Sequence, residues 1–85
     1  MTQRLVIANW KMNGELAFLE AFASSLPSLS NVQTVIAPPA VYALRLAELA
    51  QGVFEAGLQN VGSHESGAHT GEVSAAMARD LGASV

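Results

Sequence analysis

An amide and an ammonium two positions apart are the side chains of this sequence best suited to chemistry. Asn9 and Lys11 follow the apolar run 5–8, which is typical of a strand buried on both faces of a parallel sheet. Side chains two apart in extended chain point to the same side. Lysine supplies three donors and a positive charge, so the pair suits a phosphate or a developing oxyanion. The alternative is a solvated lysine beside an asparagine that ends a strand.

Two other pairs of polar residues lie in the stretch 59–72 and are less convincing. His64 and His69 do not have the spacing of a helical metal-binding pair, and neither cysteine nor clustered aspartate accompanies them. Glu65 and Glu72 could form a carboxylate pair for acid–base catalysis. They flank a glycine-rich loop, however, where solvated carboxylates or surface ion pairs are the usual case. We therefore predict no metal site and no cofactor.

The composition argues against several classes of function. The 85 residues carry a net charge of −3, and the four basic residues are scattered, so there is no basic patch for nucleic acid. The N-terminus lacks the apolar run of a signal peptide, and no apolar stretch approaches the about 20 residues of a membrane helix. The absence of cysteine suits a reducing compartment. We expect a cytoplasmic protein that binds neither nucleic acid nor membrane.

The low proportion of charged residues suggests contact with other protein. Only 13% of the residues are charged, whereas a soluble protein usually has about a quarter. At 51% hydrophobic residues the chain is too apolar to be disordered. One interpretation is that much of its surface is covered by further polypeptide.

Apolar periodicity predicts strands that alternate with helices. This order argues for an α/β fold with a parallel sheet. Residues 59–71 form a long loop of the kind that is often functional. The predicted strands cover 5–8, 32–37 and 53–58, the predicted helices cover 15–26, 41–50 and 74–81, and residues 83–85 would begin a fourth strand.

Helix ends are predicted from residues that favour capping. Asn13 is a plausible N-cap, and Glu15 suits the first turn of the first helix. Gly52 stands at a C-cap position after the second helix. The third helix is predicted to begin after Ser74 and to end at Gly82.

Four motifs, in their order along the chain, resemble the triosephosphate isomerase family. Asn-Trp-Lys-Met-Asn-Gly at 9–14 looks like that family's strand-one motif. Ala-Pro-Pro at 37–39 and Gln-Asn-Val at 59–61 resemble the ends of its second and third strands. Residues 64–77, from His-Glu-Ser-Gly to Ala-Ala-Met, are similar to its third loop and the helix that follows. The resemblance extends over the whole chain.

The resemblance implies an α/β fold that is the N-terminal part of a (β/α)8 TIM barrel of about 250 residues. Residues 1–85 would be an incomplete domain that ends where the fourth strand starts. The implied reaction interconverts dihydroxyacetone phosphate and glyceraldehyde 3-phosphate through an enediolate, a step of glycolysis and gluconeogenesis. The family's catalytic histidine and glutamate would lie beyond Val85, so the chain alone is expected to be inactive. The alternative is a non-catalytic assembly module.

The resemblance also assigns roles to residues at the predicted site. Asn9 and Lys11 would bind the phosphorylated triose and take part in catalysis. Lys11 would face the phosphate and the negative charge of the enediolate, and Asn9 would donate a hydrogen bond to the substrate.

The long loop would have a separate role in assembly. It resembles the loop that enters the neighbouring subunit of the family's homodimer. Thr70 would approach the strand-one turn of the partner, and Met12, Gln59 and Glu72 would lie in the same interface.

Overall fold

Parallel strands alternate with helices in the part of the chain that the structure describes. The computed structural model describes residues 4–27 and 31–84. Its strands form one sheet in the order β1-β2-β3, and both neighbouring pairs are parallel. The strands are β1 (Arg4–Asn9), β2 (Val32–Ala37) and β3 (Glu55–Ala56), and the helices are α1 (Leu16–Ser25), α2 (Ala43–Ala50) and α3 (Ala75–Leu81). The predicted α/β architecture is confirmed.

One face of the sheet carries the helices and the core. Ala8, Ile36 and Ala56 are register neighbours on successive strands. They pack against side chains of α1 and α2, among them the fully buried Leu19 and Leu46. Because side chains alternate along a strand, those that flank Ala8 on β1 project from the opposite face.

The opposite face is apolar and largely uncovered along β1. Leu5 and Ile7 on this face are 57% and 52% exposed, and Val6, on the helix side, is 53% exposed, although a continuous apolar run is typical of a strand covered on both sides. This agrees with the interpretation that further polypeptide covers part of the chain. Among the described residues, no helix has both the length and the apolar character needed to cross a bilayer.

The start of α1 differs from the prediction. Asn13 is not the N-cap: its Nδ2 donates to the carbonyl oxygen of Trp10 at 2.9 Å. Glu15 holds the cap position in extended conformation and makes no side-chain capping bond. The prediction was wrong because the asparagine is used to close the turn before the helix.

The second helix begins and ends with backbone geometry that the sequence did not indicate. A 3-10 turn over Ala40–Tyr42 precedes α2, so the predicted helix over 41–50 is α-helical only from Ala43. At its end the cap is Gln51, in the left-handed conformation, and Gly52 follows with φ 81°. The predicted glycine cap is therefore one residue too late.

The third strand is shorter than predicted, and local competition for its backbone groups explains this. Only Glu55–Ala56 pairs with β2, where 53–58 was predicted. At the start, the Val53 amide donates to the Ala50 carbonyl at 2.8 Å and closes the end of α2. At the other end, Pro38 follows β2 and has no N–H to continue the ladder.

The third helix has the predicted ends. Ser74 Oγ accepts a hydrogen bond from the Met77 amide at 3.1 Å, and Gly82 is the left-handed C-cap with φ 102°. Ser84 is not in a strand, but its amide donates to the Ala56 carbonyl at 3.0 Å, so the chain runs beside β3. Val85, the last residue of the predicted fourth strand, lies outside the described residues.

Candidate anion site at the carboxyl edge of the sheet

A strained backbone turn places Lys11 at the carboxyl end of β1. Lys11 has φ 56°, in the left-handed region, which costs a residue with a Cβ about 1–2 kcal/mol. The side chain of Asn9 offsets this cost, because its Oδ1 accepts a hydrogen bond from the Lys11 amide at 2.9 Å. A neutral hydrogen bond contributes about 0.5–1.5 kcal/mol net. The two magnitudes are comparable, so the conformation depends on such bonds.

Aromatic side chains pack this turn against helix α1. The ring of Trp10 lies 5.6 Å from that of Phe18 and 5.4 Å from that of Phe22, centroid to centroid. Gly14 passes so close that an added Cβ would lie 3.3 Å from the Trp10 ring. The Tyr42 hydroxyl donates to the Gly14 carbonyl at 3.3 Å. The turn therefore has little freedom to move away from the edge of the sheet.

The ends of all three strands meet at this turn. The Trp10 amide donates to the Ala37 carbonyl at the end of β2, at 3.0 Å. Gln59, just beyond β3, uses its Nε2 to donate to the carbonyls of Lys11 at 2.8 Å and Ala37 at 3.0 Å. Pro38, which follows β2, is fully buried beneath. Polar groups at the ends of all three strands therefore lie together at the carboxyl edge of the sheet.

The charge of Lys11 is available to a ligand. Across residues 4–27 and 31–84, the salt bridges are those of Arg45 with Glu20 and Glu48, and none involves Lys11. Lys11 and Asn9 are both exposed. Since the Asn9 oxygen is occupied, its amide nitrogen is left to donate. An ammonium and an amide donor on a fixed turn can bind a phosphate or stabilise an oxyanion.

The structure places the predicted interface residues on two exposed segments. Met12, next to the site turn, is 94% exposed. Thr70 and Glu72 lie in the loop 61–73, which is closed at its base by a 2.7 Å bond from the Gly62 amide to the Val73 carbonyl. Within the described part of the chain, no side-chain hydrogen bond joins this loop to the site turn.

The two histidines of the loop are stacked on each other. The rings of His64 and His69 lie 4.3 Å apart at an interplanar angle of 15°. Ser63 Oγ lies 3.2 Å from His64 Nδ1. Among the described residues, no group of three His, Cys, Asp or Glu side chains could hold a metal ion.

A cavity of about 510 Å³ opens beside the same histidines. It is lined by the loop together with Ser74 and Met77, and by no lysine or arginine. Neither a lysine nor an arginine could pair with an anionic ligand there, so the site turn remains the better candidate for anion binding.

Gln59 has a structural role at the site that the sequence did not reveal. The resemblance implied only an interface position, whereas the structure shows its amide bonded to the turn that carries Lys11. An amide directly after the third strand, at the edge where Asn9 follows the first, is the signal that could have indicated this contact.

A parallel sheet with helices on one face and polar side chains at its carboxyl edge has the architecture of the α/β proteins whose ligand sites lie at that edge. The triosephosphate isomerase family model matches residues 4–85, so the chain belongs to this family. The resemblance and the predicted TIM-barrel fold class are thereby confirmed.

Individual relatives carry the same family name. Over 96% of its length the chain is 47% identical to the triosephosphate isomerase of Delftia acidovorans and 42% identical to that of Marinobacter nauticus. It is 40% identical to the Vibrio cholerae protein over 99% of its length. The matches cover 35%, 34% and 35% of these relatives, so the chain spans about a third of their length.

Proposed function

We propose that this chain serves in a triosephosphate isomerase, which interconverts dihydroxyacetone phosphate and glyceraldehyde 3-phosphate. The observation that carries the proposal is the turn at the carboxyl edge of β1. It holds Lys11 in a strained conformation through the Asn9 side chain and leaves its charge unpaired within the described residues. Family membership supplies the reaction, and this geometry suits the anionic substrate and the anionic intermediate.

The site turn would act on the substrate through electrostatics. The Lys11 ammonium would face the phosphate and the oxygen on which charge develops as the enediolate forms. The Asn9 amide nitrogen would donate to the substrate. Because the turn is fixed before the substrate arrives, these donors need no reorganisation during the reaction, which is the condition under which such stabilisation is largest.

Proton transfer would need groups from outside this turn. Among the described residues, the side chains that hydrogen-bond to this turn are those of Asn9, Asn13, Tyr42 and Gln59, and none is a carboxylate or an imidazole. His64 and His69 lie beside the loop cavity instead. We propose that the family's catalytic histidine and glutamate come from a segment equivalent to the two thirds of the relatives that this chain does not match. We also propose that no cofactor is needed.

The same proposal includes a cytoplasmic homodimer and one barrel domain to which residues 1–85 contribute. Met12 presents an almost fully exposed thioether, and the loop carrying Thr70 and Glu72 is exposed beside an open cavity. In a two-fold interface residue i of one copy contacts residue j of the other and the reverse, so an exposed apolar side chain and an open cavity on the same chain can be buried reciprocally. Gln59 would lie at the edge of this interface.

The test is a hybrid protein in which residues 1–85 replace the matching third of the Delftia acidovorans relative. Produced in a host without its own isomerase, it is expected to convert glyceraldehyde 3-phosphate in a coupled assay. Light scattering should give the mass of a dimer. The control is the remaining two thirds alone, which should be inactive. A folded, dimeric hybrid without activity would reject the proposal and favour the assembly module.

A further inference from the structure

We propose that Gln59 is a positioning residue that holds Lys11 in its working orientation. The inference rests on the proposed function and extends it to a residue that does not touch the substrate. Gln59 follows β3, and its amide nitrogen donates to the Lys11 carbonyl at 2.8 Å and to the Ala37 carbonyl at 3.0 Å. Both N–H groups of the amide are therefore used, and both point at the strand ends that surround the site.

The bond from Gln59 completes a two-sided restraint on one residue. The amide of Lys11 is held by Asn9 Oδ1 at 2.9 Å, and its carbonyl is held by Gln59. These two peptide groups flank the φ and ψ angles of Lys11, and φ is 56°. A residue with a Cβ leaves this region readily once its restraints are lost, since extended and right-handed conformations are lower in energy. Relaxation would redirect the Cα–Cβ bond and move the ammonium.

The second bond of Gln59 sets the restraint relative to the sheet. The Ala37 carbonyl, which it shares, also accepts the Trp10 amide at 3.0 Å. Ala37 ends β2 and is buried, so this acceptor is fixed by the hydrogen-bonded central strand of the sheet. One amide group, that of Gln59, thus links the Lys11 carbonyl to the end of the central strand. If Gln59 served only to stabilise the fold, its two acceptors could lie anywhere, whereas both lie at the site.

The first experiment replaces Gln59 by methionine in the hybrid protein. Methionine keeps the length of the side chain and removes both donors. We expect kcat/KM to fall by about 10- to 100-fold, the scale of a misplaced catalytic group. Binding of inorganic phosphate, measured by a phosphorus NMR titration, should weaken as well. Gln59→Asn keeps the amide on a shorter stem and should give an intermediate loss, and it serves if the methionine variant does not fold.

The matched control is Gln33→Met. Gln33 lies on the same face of β2 as Ala37, and its side-chain amide donates a hydrogen bond to Glu55. The register partner of Gln33 is Leu5, at the end of β1 that is far from the site. The control loses one side-chain hydrogen bond and should leave phosphate binding and kcat/KM unchanged. If Gln33→Met and Gln59→Met lower both quantities equally, the effect of Gln59 is structural and the inference is overturned.

A double-mutant cycle with Lys11→Met separates positioning from direct action. If Gln59 acts through Lys11, then Gln59→Met weakens phosphate binding in the parent and changes it little once the Lys11 charge is gone. An equal loss in both backgrounds would overturn the inference. Phosphate binding does not depend on turnover, so the cycle reports on Gln59 even in an inactive hybrid, whereas inactivity of the unsubstituted hybrid counts against the proposed function alone.

Discussion

Replacing Lys11 by methionine in the hybrid protein is expected to lower kcat/KM for either triose phosphate by about 10²- to 10³-fold, the usual loss when one group that stabilises a developing oxyanion is removed. Methionine keeps the unbranched stem and pays the same penalty for φ 56° as lysine. The change therefore removes little besides the charge and its donors. Steady-state kinetics in both directions of the coupled assay would measure the loss.

The control for Lys11 is a cation that lies elsewhere on the same chain. Arg45→Met makes the same change in net charge, but Arg45 is paired with Glu20 and Glu48 on the helix surface. It should leave kcat/KM unchanged. Equal activity in the Lys11 and Arg45 variants would contradict the assignment of Lys11. Lys11→Arg should recover only part of the activity, since the guanidinium is broader and cannot occupy the same point as an ammonium.

A polypeptide of residues 1–85 alone is expected to be inactive and to unfold without a sharp transition. About half of each side chain of Leu5, Val6 and Ile7 is exposed on β1. Full burial of such a side chain contributes about 1.5–3 kcal/mol, while a whole domain is stable by only about 5–15 kcal/mol. With about half of each side chain uncovered, the three together forgo about 2–5 kcal/mol, which is a large fraction of a stability near the lower end of that range.

Urea titration followed by circular dichroism, with binding of a hydrophobic dye, would test this second expectation. The uncovered strand should bind dye strongly, and the signal should change gradually with urea. Mixing with the other two thirds of the relative should lower dye binding if those residues cover β1. A steep, reversible transition of monomeric 1–85 with little dye binding would contradict the expectation.

Sequence periodicity was sufficient to predict the order of strands and helices, because the apolar residues that each element buries recur at a spacing visible within that element. It failed where one residue had two possible partners. Asn13 could have capped α1, and it bonds to Trp10 instead. Val53 could have begun β3, but its amide closes the end of α2 at Ala50. Such choices depend on packing of elements that the local pattern does not describe.

The position of the site could also be predicted, but its internal geometry could not. The place of Asn9 and Lys11 directly after the first apolar run was enough to put them at the carboxyl edge, but the extended chain assumed between them was wrong, because the backbone of Lys11 is left-handed. The bond from Gln59 to Lys11 joins residues 48 positions apart in the sequence. This bond, and the left-handed backbone of Lys11 that it restrains, depend on how the three strands are arranged in the sheet. The interface roles of Met12, Thr70, Glu72 and Gln59 stay predictions.

The helix-covered face of the sheet has a consequence for the order of folding during synthesis. Leu19, Ile36 and Leu46 come from neighbouring segments, so their contacts close short loops and can form early. On the opposite face, Leu5 and Ile7 remain about half exposed to solvent in the part of the chain that the structure describes. Once this part of the chain has left the ribosome, its sheet and helices would already be packed together, and the other face of the sheet would be apolar and exposed. We expect that interval to be when the nascent protein most needs a chaperone.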